Sequence, residues 1–124
     1  MGSKLRIILL PGLLPLIVTP LLGAEFTYKE YAKSPEDWRR GFVSGIAHSL
    51  TTVPQPDEQP PYPVRAAFQR CLEHATDIAL EHQVQTYIAA NPGSSKGPMI
   101  AVVMRAMFDL CRREIPTTLP ARAR

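Results

Sequence analysis

Thirteen prolines punctuate a chain of 124 residues, and their positions constrain where regular structure can form. Pro11, Pro15 and Pro20 interrupt the first apolar run, and Pro54, Pro56, Pro60, Pro61 and Pro63 crowd one short interval. Proline lacks an amide donor and clashes with the preceding helical turn, so 51–63 reads as an extended, exposed linker. Asp57, Glu58 and Tyr62 are expected to point outwards from it. A polyproline-type ligand segment is the alternative to a plain connector. The rest of the chain beyond the N-terminal run is proline-poor and carries helical periodicity, with no strand alternation.

The N-terminal run is uncharged for 18 residues, Ile7 to Ala24, behind Lys4 and Arg6. A basic start, an apolar centre and a small terminal residue describe a secretory signal peptide cleaved after Ala24. An uncleaved anchor is the alternative, although the run is short for a bilayer and interrupted by prolines. Leu21-Leu22-Gly23 is followed by Ala24 rather than Cys, which rules out lipid attachment there. Loss of Lys4 and Arg6 lowers the formal charge from +3 to about +1. No basic stripe then remains to neutralise phosphates, so nucleic acid is not an expected partner.

The first helix is expected from the Ser34-Pro35-Glu36-Asp37 start, with Ser34 capping and Pro35 at the first helical position, to about Leu50. Trp38, Phe42, Ile46 and Leu50 would form its buried stripe. Gly41, Gly45 and Ser49 form a second row, whose two glycines suggest a close backbone approach, with simple tolerance as the alternative. Region 64–90 forms one helix or two, with Thr76 or Asp77 able to cap a fresh start. Residues 91–98 read as a loop. The last helix would run from Pro98 to about Arg113, burying Ile100, Val103, Met104, Met107, Phe108 and Cys111. The fold expected is all-α, a small bundle of roughly three to five helices. The division is 1–24 leader, 25–116 helical domain with its linker at 51–63, and 117–124 disordered tail.

Cys71 and Cys111 lie on apolar helical faces, 40 positions apart, in the part expected to be exported. A disulfide between them is the expected state, with two buried free thiols as the alternative. Chain entropy assigns such a bond about 3.9 kcal/mol. Cys-x-x-Cys spacing is absent, as are His-Glu-x-x-His and paired Glu-x-x-His. His74, Asp77 and Glu81 share one helical face, read as a solvated polar face with a metal site as the alternative. Gly41-Phe42-Val43-Ser44-Gly45 is not a nucleophile elbow, and Gly93-Ser94-Ser95-Lys96-Gly97 lacks phosphate-loop spacing. No catalytic residue, metal ligand or cofactor is expected, and the chain does not read as an enzyme.

Trp38-Arg39-Arg40-Gly41-Phe42-Val43-Ser44-Gly45 is similar to the Trp-x-x-Gly-(Tyr/Phe)-Val-x-Gly opening of the Rap/Tai immunity family. Cys71, then Tyr87-Ile88 ahead of Asn91-Pro92, then Cys111 resembles that family's first Cys, its Tyr-Leu-x-x-His-Pro turn and its closing Cys. Asn91 stands where the family usually has His, and Asp109-Leu110 where Phe-Pro is common. The resemblance implies structural roles for Trp38, Gly41, Phe42, Gly45, Tyr87 and Pro92. It further implies a small periplasmic all-helical protein with one disulfide. Such a protein would bind and neutralise a cell-wall amidase effector delivered by type VI secretion. The partners to expect are therefore a protein, a cell-wall hydrolase effector in the family's pattern, or a second copy of the chain. Membrane contact is expected only through a retained leader. An alternative resemblance, in size, helicity and cysteine number, is to HdeA-type periplasmic acid chaperones. A third reading is an envelope-associated structural protein with an uncleaved anchor.

Overall fold

A computed structural model describes residues 25–117. The expected leader with its cleavage site, and residues 118–124 of the tail, lie outside the described residues. Among the described residues there are five α-helices and one 3₁₀ turn. The only β feature among the described residues is an isolated bridge between Thr27 and Pro98.

Helix α1, Tyr28–Lys33, is not foreseen by periodicity, because six residues cannot display any. It is fixed by its ends. The Glu30 carboxylate accepts the Thr27 amide at 3.0 Å, the N3-to-N-cap half of a capping box, and also accepts the Thr27 hydroxyl. At the other end the Ser34 amide donates to the Tyr31 carbonyl at 3.0 Å, and the Ser34 hydroxyl to the Glu30 carbonyl at 3.1 Å. Ser34 therefore closes α1 and does not cap the next helix, contrary to the sequence expectation.

Helix α2, Glu36–Thr52, begins behind Pro35 with no side-chain cap. Glu36 and Asp37 in its first turn complement the exposed amides instead. The helix continues two residues past Leu50. Its buried face is Val43, Ala47 and Leu50, with Phe42 and Ile46 half-buried beside it. Trp38 is 46% exposed and so falls off the expected stripe. Gly41 and Gly45 face solvent, and a Cβ at either would meet nothing within 4 Å. The expected close backbone approach at these glycines is absent.

The linker is less exposed than its prolines suggest. Glu58 folds back onto the start of α3, Pro63–Leu72. Its Oε1 accepts the amides of Val64 at 2.5 Å and Arg65 at 3.0 Å, and its Oε2 accepts the Gln55 amide at 2.9 Å. A carboxylate at this position satisfies amides that the helix itself leaves unpaired and meets the positive end of the dipole. The Arg65 guanidinium lies 4.6 Å from the Tyr62 ring centroid. Glu58 and Tyr62 are thus half-buried structural groups rather than outward-pointing ones.

Region 64–90 is two helices. Helix α3 ends at Leu72, and α4, Asp77–Ala90, starts where the Thr76 hydroxyl accepts the Ala79 amide at 3.2 Å. Asn91 ends α4, and Pro92–Lys96 forms the 3₁₀ turn. Helix α5 spans Met99–Leu110 and stops three residues before Arg113. Its buried face is Met99, Val102, Val103, Ala106 and Met107, continued by Cys111. Met104 and Phe108 are half-buried, and Ile100 is 55% exposed rather than buried. The buried face is thus rotated towards Met99, whose amide donates to the Phe26 carbonyl at 2.8 Å.

Helix α2 is the central element, packing against α3, α4 and α5, while α4 also packs on α5. Their shared core includes the fully buried Tyr31, Val43, Phe68, Val84, Val103 and Met107. Burying side chains of this size contributes about 1.5–3 kcal/mol each. Helix α3 reaches α5 through the Phe68 ring, edge-on to Phe108 at 4.8 Å, and through the Cys71–Cys111 disulfide. Among the described residues no helix is long and apolar enough to cross a membrane.

Candidate functional site

The two cysteines form the expected bond, with Cα atoms 5.6 Å apart, within the range that disulfide geometry accepts. Cys111 is buried beneath it and Cys71 is half-buried. Trp38, Phe42 and Phe26 make an aromatic group on one side of α2. Trp38 stacks on Phe42 at 5.2 Å, and the Phe26 ring stands edge-on to both. Tyr87 packs against the core from α4, and Pro92 is exposed at the start of the 3₁₀ turn. The family-pattern residues are therefore spread over the fold. Trp38 and Phe42 touch one another, whereas Gly41, Gly45 and Pro92 are solvent-facing.

A polar cluster missed by sequence reading lies between α1, α2 and α4. Glu81 Oε1 accepts from the Tyr31 hydroxyl at 3.2 Å, Arg39 Nε at 3.3 Å and Gln85 Nε2 at 3.0 Å. Arg39 also donates to the Ser34 carbonyl at 2.9 Å, and the Tyr28 hydroxyl donates to Gln85 Oε1 at 3.2 Å. Burial disfavours the Glu81 carboxylate, but the three donors and the Arg39 charge outweigh it and lower its pKa. Tyr31 is pushed above the ordinary phenol range, first by burial and then by the Glu81 charge. Every member of this cluster is hydrogen-bonded within the fold, so it reads as a fastening rather than a ligand site. It takes Glu81 out of the expected His74, Asp77 and Glu81 face. His74 lies in the α3–α4 turn, exposed, 3.9 Å from its neighbour Glu73.

A concave site opens between α2, the end of α3 and the start of α4, with a volume of about 440 Å³. Leu72, Ala75 and Leu80 supply apolar wall, and His48, Glu73 and Asp77 are its ionisable groups. Among the described residues no lysine or arginine lines it. Ser44 is also on its wall, with a buried hydroxyl that has no hydrogen-bond partner among the described residues. The break between α3 and α4 creates this site, since a continuous helix would carry Glu73 and Asp77 along one straight face. Among the described residues no group of three or more His, Cys, Asp or Glu is arranged to hold a metal ion.

No family model matches this chain, and neither a curated protein nor a solved structure is significantly similar to it.

Proposed function

We propose that the protein is an exported binding domain that neutralises a cell-wall-degrading amidase by occupying its surface in the periplasm. The observation that carries this reading is the ordered motif from Trp38 to Cys111, whose two cysteines close as a disulfide across an all-helical fold. That combination is what the Rap/Tai resemblance implies. A disulfide-bonded bundle of this size suits a rigid binder, because a prefolded surface loses little conformational entropy on association.

Co-expression in the periplasm with a cell-wall amidase encoded beside its gene is the direct test. Rescue of growth and recovery of a stoichiometric complex at neutral pH are expected. Lysis unchanged by the protein, with no complex recovered, would reject the reading. Suppression of client aggregation confined to pH 2–3, without amidase binding, would point to the acid-chaperone alternative.

A further inference from the structure

The site between α2, α3 and α4 combines three features. It is concave and about 440 Å³, large enough for one long side chain. Its wall is apolar at Leu72, Ala75 and Leu80, and its formal charges are those of Glu73 and Asp77, with His48 beside them and no lysine or arginine among the described lining residues. Arg70 pairs with Glu114 at 3.7 Å, and the exposed His74 lies 3.9 Å from Glu73. Asp77 has no ion-pair partner among the described residues.

We propose that this cavity receives a basic side chain, lysine or arginine, presented by the protein partner. The carbon stem would lie along Leu72, Ala75 and Leu80, as long basic side chains lie on apolar surface elsewhere, with the charged head at Glu73 and Asp77. A cation meeting two carboxylates that no lysine or arginine among the described residues engages sets orientation and encounter rate as well as affinity. This inference rests on the reading of the chain as a protein binder, and it names the chemistry the partner must offer.

The test is a titration of the purified protein, as recovered from the producing cell, with N-acetyl-lysine amide and N-acetyl-arginine amide, followed by NMR. Saturable shifts at Ala75, Leu80 and His48 are expected with either compound. N-acetyl-norleucine amide, which keeps the stem without the charge, should bind several-fold more weakly. Glu73→Gln with Asp77→Asn should weaken the cationic ligands about fivefold, the upper range for one partly exposed ion pair. Glu73→Gln alone, outside either helix, keeps the test valid if the change at Asp77 loosens the start of α4.

Equal binding of the norleucine compound, or unchanged affinity in the variants, overturns the proposal. Shifts produced by Arg122→Ala and by no added ligand would assign the site to the chain's own arginine and overturn it equally. Because no effector enters this titration, its failure leaves the amidase reading standing. An intact cavity response in a protein that captures no amidase would reject that reading alone.

Discussion

The fold depends most visibly on two carboxylates that sequence reading left in solvent. Glu81 collects three donors from three different helices or turns, so Glu81→Gln removes the charge while keeping the shape. A loss of about 1–3 kcal/mol in urea unfolding is expected, typical of hydrogen bonds to a charged group. The pH dependence has a definite sign. The folded carboxyl titrates below the ordinary value of 4.5, so its stabilisation is complete above that value. It fades as the pH falls through the lower folded pKa, where the unfolded chain has already taken up its proton. Glu81→Gln should flatten this acid limb, and an acid limb identical to that of the unsubstituted protein would contradict the assignment. Tyr31 acts at the other extreme. Its folded phenol titrates above the ordinary value of 10.0, so stability should fall as the pH rises past 10.0 and the unfolded phenol ionises. Tyr31→Phe should remove that alkaline component.

At the scale of elements, Glu58 and the two exposed glycines of α2 give opposite predictions. Glu58→Ala leaves the first amides of α3 unpaired and should cost about 1–2 kcal/mol by thermal unfolding, the usual cost of losing a helix cap. Gly41→Ala and Gly45→Ala should each add about 0.5–1 kcal/mol, because the new methyl meets nothing within 4 Å and the unfolded chain loses freedom. A destabilising result at either glycine would mean that the helix face is covered in solution.

The long helices were legible because α2, α4 and α5 carry enough turns to show a period. Their faces were less legible. Trp38 and Ile100 fit an apolar repeat, yet both lie exposed in the assembled fold, because which side of a repeat is buried is set by the neighbouring helices and not by the period. Helix α1 was invisible to periodicity, although Thr27 and Glu30 carried a readable capping signal. The bonds from Glu58 to Val64 and Arg65 span a proline-rich stretch whose path no local rule supplies. The cavity escaped sequence reading for a related reason. It needs α2 to meet the α3–α4 break, and only the assembled fold brings Ser44 and His48 to Glu73 and Asp77.

For the molecule as a whole, the disulfide is the largest single constraint. Removing it with Cys71→Ala and Cys111→Ala should cost about 4 kcal/mol by the loop-entropy relation. For a domain of this size that amounts to a fall in Tm of roughly 15–30 °C. Reductant should produce the same shift in the unsubstituted protein and none in the double variant. Trp38, the sole tryptophan, stacked on Phe42, provides an intrinsic fluorescence signal for following the transition.

The same bond gives the protein a sense of place. Cys71 lies one residue before Leu72 and two before Glu73, so the covalent link anchors one lip of the acidic cavity to the end of α5. While its thiols are kept reduced, the chain would hold that lip only by noncovalent contacts such as Phe68 on Phe108 and Arg70 with Glu114, on a much less stable fold. Under the proposed binding role, oxidation would act as a licence: the lip of the cavity is fixed only where a thiol pair can close. On that same proposal, a copy with reduced cysteines would bind more weakly than an oxidised one.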